Sequence, residues 1–209
     1  VTAPARAASA SNVTGLVLAG GRGSRMGGVD KGMQPFLGEP LALHVLRRVA
    51  PQASDMLISA NRNVEAYARL AAPFGARVIA DALGDYPGPL AGIAAALRAA
   101  QTEFVLLAPC DAPFVDERLG ALLGEALDAE HADIAYAATI EPAGERIAHP
   151  VFALLRTSLA DDLDTRLASG ERKVRAWYAH HKAVQVPFHD DRAFYNINDL
   201  RQLAELERR

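Results

Sequence analysis

Apolar residues in this chain gather in short unbroken runs, and the stretches between the runs carry helical spacing. Val13-Thr14-Gly15-Leu16-Val17-Leu18-Ala19 is the first run, apolar and closed by glycines, which predicts a buried strand. The runs at 56–60 and 76–80 predict a second and a third strand. Residues 104–108, Phe-Val-Leu-Leu-Ala, show no polar alternation at all, the mark of a strand covered on both faces. Residues 134–139 and 151–155 predict further strands. Between the strands, residues 41–49 have helical spacing and stop before Pro51, Asn63 is placed to cap a helix through Leu70, and Pro89 opens a helix through Ala100. Asp116 is expected to cap the next helix, another ends near Ser169, and a last one begins at Asp199 or Leu200.

Strands alternating with helices predict an α/β fold with a mostly parallel central sheet and right-handed crossovers. With no internal repeat or linker, residues 13–209 read as a single domain. The opening VTAPARAASASN, rich in Ala and Ser, reads as a flexible tail over 1–12. In such sheets the ligand lies beyond the carboxyl ends of the strands. That directs attention to residues 20–31, to Asn61 and Arg62, to Asp81, and to Cys110 and Asp111.

Composition narrows the classes further. The chain has 209 residues, 50% hydrophobic and 22% charged, enough for a substantial core and ordinary for a soluble protein. Its formal net charge of −3 lacks the basic surplus of a nucleic-acid binder. Cys110 is the single cysteine, so neither an internal disulfide nor a cysteine zinc site can form; a reducing compartment, the cytoplasm, is the expected location. No apolar run reaches transmembrane length and no secretory hydrophobic centre is present, so no membrane association is expected.

The loop after the first strand reads Leu18-Ala19-Gly20-Gly21-Arg22-Gly23-Ser24-Arg25-Met26-Gly27-Gly28-Val29-Asp30-Lys31-Gly32. Glycines let backbone N–H groups approach an anion, and successive exposed N–H groups make an anion-binding concavity. Arg25 and Lys31 add cations, so a polyphosphate is the expected guest. The Walker pattern is absent, and the dinucleotide fingerprint begun at Gly21 meets Met26 where it needs glycine. At the end of the central strand, Asp111 stands between Pro109 and Pro113, well placed for a hard cation that takes oxygen ligands.

L-A-G-G-x-x-x-R-M-G followed by D-K resembles the signature of sugar-nucleotide and cofactor nucleotidyltransferases. The fuller string R-M-G-G-V-D-K-G is similar to the molybdenum cofactor guanylyltransferase (MobA) family, and the likeness extends from Val13 to Leu206. It implies a three-layer Rossmann-like nucleotidyltransferase fold that uses Mg²⁺ to transfer GMP from GTP to molybdenum-molybdopterin, releasing pyrophosphate. It implies Arg25, Lys31 and Asp111 as catalytic residues, Asp111 as the metal ligand, and a GTP site of Leu18, Ala19, Gly20, Gly21, Lys31, Asn61, Asp81 and Asp111. The Asp81 carboxylate would accept from guanine N1–H and its exocyclic amine, a donor pair that adenine and cytosine lack. Ser59 departs from the family pattern, which has asparagine there.

Three later stretches also resemble family motifs, on the acceptor side: His149-Pro150-Val151-Phe152, Gly170-Glu171-Arg172-Lys173-Val174 and Phe194-Tyr195-Asn196-Ile197-Asn198. Arg172 and Lys173 are candidates for the acceptor's phosphate. Asn196 and Asn198 alternate on a strand-like segment and would face one way, toward metal or pterin. His149 could serve function or make a structural hydrogen bond. Trp177 is expected in the core ahead of stacking on the pterin, and Cys110 as a small packed side chain. Transient contacts with cofactor-delivery or target proteins are expected. CTP with molybdopterin, or a nucleoside triphosphate with a sugar phosphate, are the neighbouring readings; a binding module without chemistry is the reading from another class.

Overall fold

The computed structural model describes residues 9–19, 29–80, 88–141 and 144–197. β1 (Val13–Leu18) is followed by a small ribbon of β2 (Pro35–Phe36) and β3 (Glu39–Pro40), then α1 (Leu41–Val49). The chain continues through β4 (Asp55–Ser59), α2 (Val64–Ala71), β5 (Arg77–Ile79), α3 (Pro89–Ala99), β6 (Phe104–Pro109) and α4 (Leu119–Ala129). It closes with β7 (Ile134–Ile140), β8 (Arg146–Arg156), α5 (Ala160–Ala168), α6 (Val174–Tyr178) and β9 (Ala183–Phe188).

A seven-stranded sheet runs in the order β5-β4-β1-β6-β8-β7-β9. β1 pairs in parallel with β4 through Leu16↔Leu57 and with β6 through Leu16↔Leu107. β8 is antiparallel to both its neighbours, and the other strands point one way. Side chains alternate across the sheet as strand geometry demands. Phe104 and Leu106 enter the layer beneath α1, α2 and α4, while Val105 and Leu107 enter the layer with α3, α5 and α6. The expected three-layer α/β architecture is therefore present. α1 shows why its sequence folds as it does: Leu41, Ala42, Val45, Leu46 and Val49 are buried, one stripe at helical spacing.

The chain steps outward from β1 to β4 and β5, then α3 carries it back across to β6 on the other side of β1. That reversal is a topological switch point, where open α/β sheets bind ligands. The strand ends are laced together there. Ala19 N donates to Ser59 O (2.8 Å), Cys110 N to Leu18 O (3.0 Å) and Ala60 N to Ile79 O (2.9 Å).

Several expectations need correction. Ala10–Asn12, expected within a flexible stretch, form a 3₁₀ turn, and the Asn12 side chain exchanges hydrogen bonds with Glu103, both at 3.1 Å. The β2–β3 ribbon replaces part of an expected loop, turning on Leu37 (φ 51°) and Gly38 (φ 81°). Two successive positive φ values suit a type I′ turn, which a leucine does not advertise. β8 begins at Arg146, not at 151, because the pairing jumps from Tyr136↔Ala153 to Ala137↔His149 and Pro150 falls in the break. β9 adds a strand that the sequence pattern does not predict; Pro187 interrupts that pattern, and proline is tolerated there because β9 is an edge strand. Asp116 lies in the turn ahead of α4, accepting from Arg118 N at 2.7 Å, while Arg118 holds the N-cap position. The expected last helix lies outside the described residues. No helix among the described residues is long and apolar enough to cross a membrane.

Candidate active site

After β1 the described chain resumes at Val29 and makes a 3₁₀ turn at Lys31–Met33, and the chain leaving β6 reaches Asp111. These two side chains, 80 positions apart, meet: Lys31 Nζ donates to Asp111 Oδ2 at 2.9 Å. The pair spans the switch point. The side chains are 22% and 11% exposed, open enough for a ligand to reach yet sheltered from full screening. The backbone around Asp111 is fixed independently, since Ile197 N donates to Asp111 O at 2.9 Å.

Of the expected nucleotide residues, Leu18 and Ala19 stand at the end of β1 and Asn61 just past β4, on the same rim as Lys31 and Asp111. Gly20, Gly21, Arg25 and Asp81 lie outside the described residues. Ser59 is buried at 1% exposure against the first turn of α3, where a Cβ on Gly92 would come within 2.6 Å of Ser59 Oγ. A small side chain suits that seat, so Ser59 serves the packing of β4 against α3. Cys110 is buried behind Asp111. Burial, and then the Asp111 and Asp30 carboxylates, push its thiol well up, leaving a neutral packed group and no nucleophile.

Sequence reasoning missed a cluster beside Lys31. Asp30 is 7% exposed. Tyr67 Oη donates to its Oδ1 at 2.6 Å and Asn63 Nδ2 to its Oδ2 at 2.9 Å. Asn63 holds the N-cap position of α2 in a left-handed conformation (φ 51°), but its side chain serves Asp30 and not the helix. The signal available in the sequence was the acidic residue directly before Lys31.

Around Arg172 and Lys173, the residues expected to meet the acceptor, the Glu171 carboxylate accepts from Arg172 N at 2.7 Å and Lys173 N at 2.8 Å. The bonds from Lys173 N and then Arg172 N hold its pKa below the usual value. Arg172 Nη1 donates to Leu167 O (2.9 Å) and Glu171 O (2.6 Å), so its guanidinium closes the end of α5. Lys173 is exposed at the start of α6. This loop abuts the start of α3: a Cβ on Gly88 would lie 3.6 Å from Arg172 O. Asn196 follows a 3₁₀ turn at Asp191–Phe194; residues 195–197 form no strand, so the expected alternation does not set its direction. The Ile197 N–Asp111 O bond ties the backbone of this segment to the residue that pairs with Lys31. Asn198 lies outside the described residues.

His149 makes a structural contact. Its ring stacks on Phe194 at 4.8 Å, and its Nε2 is 2.9 Å from Thr139 Oγ1. Burial lowers its pKa from 6.5. Between the lowered folded value and the unfolded one, the unfolded chain binds more protons, so stability falls as pH drops below about 6.5. Thermal melts of His149→Gln should show a flatter acid limb than the parent chain. Trp177 is fully buried, as expected, with Nε1 donating to Asp162 Oδ2 at 2.9 Å.

Residues 15–185 match the MobA-like NTP transferase domain. The chain is 58% identical over 203 residues to a molybdenum cofactor guanylyltransferase of Burkholderia ambifaria (strain MC40-6), covering 97% of this chain and 99% of that protein. It is 50% identical over 203 residues to the protein of the same name from Ralstonia pickettii (strain 12J), covering 95% and 98%. The crystal structure of molybdopterin-guanine dinucleotide biosynthesis protein A from Archaeoglobus fulgidus shares the fold, with a TM-score of 0.73 at 24% identity over 93% of this chain and 97% of that one. So does 4-diphosphocytidyl-2C-methyl-D-erythritol synthase from Anaerococcus prevotii, with a TM-score of 0.73 at 13% identity, covering 95% and 98%. The Lys31–Asp111 pair at the switch point, the fold, and a family match over residues 15–185 agree: the chain belongs to the MobA-like NTP transferase family.

Proposed function

We propose that this chain is a Mg²⁺-dependent molybdenum cofactor guanylyltransferase, moving GMP from GTP to the terminal phosphate of molybdenum-molybdopterin and releasing pyrophosphate. The observation that carries the reading is the Lys31–Asp111 pair at the switch point, 2.9 Å apart, in a chain 58% identical to relatives of that name.

The attacking group is a phosphate oxygen, already ionised near neutral pH, so no strong general base is needed. It forms a bond to the α-phosphorus of GTP while the bond to the β-phosphate oxygen breaks and pyrophosphate leaves. The protein's work is then alignment and the neutralisation of charge. Lys31, and Arg25 from the glycine loop, offset charge on the phosphates, and the amides of Gly20 and Gly21 orient them. Leu18, Ala19 and Asn61 border the nucleoside, and Asp81 reads guanine. Lys173 and Asn196 face the acceptor, with Arg172 holding their loop in shape.

Asp111 is the residue to hold Mg²⁺. Among the described residues no three acidic, His or Cys side chains gather as a cage, and a single carboxylate beside a phosphate crevice fits a cation that completes its shell with water and substrate phosphate. That the carboxylate already holds a cation, the Lys31 ammonium, is in keeping with this role. When bound, the metal supplies charge stabilisation at the transferred and leaving phosphates. The same reading places the enzyme in the cytoplasm, with transient contacts to proteins that deliver or receive the cofactor.

A binding scan of GTP, CTP, ATP and UTP, with and without Mg²⁺, tests the reading by calorimetry. The Asp81 contacts are charge-assisted hydrogen bonds, so GTP should bind at least about tenfold tighter than the others. Selectivity for CTP, or equal binding of all four, would overturn it.

A further inference from the structure

The residue next to Lys31 is a buried acid that the proposed chemistry does not use. Asp30 is 7% exposed, and among the described residues its carboxylate draws on one short segment, Arg62 to Tyr67, for its partners. Tyr67 Oη lies at 2.6 Å, Asn63 Nδ2 at 2.9 Å and Arg62 Nε at 3.7 Å. The Asp30 carbonyl accepts from Gln34 Nε2 at 3.1 Å and from Met33 N at 3.2 Å. Arg62 Nη2 also donates to Val29 O at 3.0 Å. On the other side of Lys31, Gly32 is pressed against the Tyr67 hydroxyl and Cys110, leaving no room for a Cβ. Lys31 is therefore clamped between two residues that are both seated on Tyr67.

A buried carboxylate is costly to keep unless its bonds are satisfied, and an apolar side chain would hold a loop to a helix at lower cost. A carboxylate gives what apolar packing lacks, a fixed direction. Both of its oxygens are bonded, so the backbone leading into Lys31 has one orientation relative to α2. The same bonds hold the segment that follows Asn61. One acid thus sets the distance between the cation at the phosphate end of the crevice and the loop at its nucleoside end. Burial holds the Tyr67 hydroxyl far above its ordinary pKa, which keeps it a donor.

We infer that Asp30, anchored by Tyr67, Asn63 and Arg62, is a positioning residue that aims the Lys31 ammonium into the crevice. The inference rests on the role of Lys31 proposed above. Misplacing a catalytic group by about 1 Å can cost on the order of 10²-fold in rate.

A double-mutant cycle tests it, with the full chain, GTP and Mg²⁺, reading pyrophosphate release under saturating acceptor. Asp30→Asn keeps the volume but replaces an acceptor with a donor facing Asn63. Its kcat should fall by about tenfold or more, with the GTP KM within about threefold of the parent. In a Lys31→Ala background the same substitution should change kcat by less than about threefold, because the ammonium it aims is gone. A merely structural Asp30 would cost the same factor in both backgrounds. That outcome, or parent-like kcat in folded Asp30→Asn, overturns the inference. Should Asp30→Asn fail to fold, Tyr67→Phe removes one of the bonds while keeping the ring. It goes through the same cycle: a loss confined to the Lys31 background supports the inference, and an equal loss in both overturns it. If Lys31→Ala alone keeps normal turnover, the proposed function of Lys31 fails first, and the two failures are told apart.

Discussion

Asp111→Asn is expected to lower turnover by about 10²–10³-fold, the range seen when one preorganised group aimed at developing charge is removed. The substitution keeps the shape of the side chain and takes away one formal charge. It should leave the backbone in place, because Cys110 N is held by Leu18 O and Asp111 O by Ile197 N, bonds that the side chain does not make. The ion pair to Lys31 weakens, but an amide oxygen still accepts from the ammonium, which is 22% exposed and can reach water. The stability cost should therefore be about 1–2 kcal/mol, a fall of a few degrees in melting temperature. Single-turnover pyrophosphate release measures the first effect and circular dichroism melts the second. The Mg²⁺ concentration for half-maximal rate should rise as well, since the carboxylate proposed to hold the metal has become a neutral amide. Near-normal turnover at ordinary Mg²⁺ would remove Asp111 from the mechanism.

The parts of this protein that could be read from its sequence are those where one physical demand dominates. β6 is buried on both faces, and residues 104–108 carry nothing but apolar side chains. Proline at the start of α3 and the buried stripe of α1 were equally direct. Lys31 and Asp111 could be singled out because a glycine loop after the first strand and an acid after the central one both belong at the ligand end of a parallel sheet. Their meeting at 2.9 Å needed the sheet order, which no local pattern contains. Elements with mixed demands were harder. β9 carries a proline that only an edge position excuses, and β8 hides its length behind a break at Pro150. The Leu37–Gly38 turn puts a leucine at positive φ. Asn63 shows the limit well. Its place before α2 was legible because asparagine suits a helix start, yet its side chain bonds Asp30 from 33 positions away. That partner, like the burial of Asp30 itself, is set by tertiary packing alone.

Trp177→Ala should destabilise the fold by about 3–5 kcal/mol, the usual cost of truncating a buried tryptophan. The residue is fully buried, lies against the rings of Tyr178 and His181 at distances of 5.6 and 5.4 Å, and belongs to the core shared by α3, α5, α6 and the sheet. Against a total stability of about 5–15 kcal/mol, such a loss leaves little margin, and the melting temperature should fall by roughly 10 °C. Trp177→Phe separates the two contributions. It keeps one aromatic ring in the core, removes the Nε1–H bond to Asp162 Oδ2, and leaves a far smaller void than alanine does. That carboxylate is 35% exposed and keeps His181 at 2.9 Å, so water and the histidine can satisfy it, and the cost should be about 1–2 kcal/mol. Urea unfolding with an unchanged slope would give both values. Activity supplies the stronger discrimination. A core residue that never touches the acceptor leaves the acceptor KM of folded Trp177→Phe unchanged. A tryptophan that stacks on the pterin would raise that KM while stability stayed near the parent value, and that pattern would move Trp177 from the core to the acceptor site.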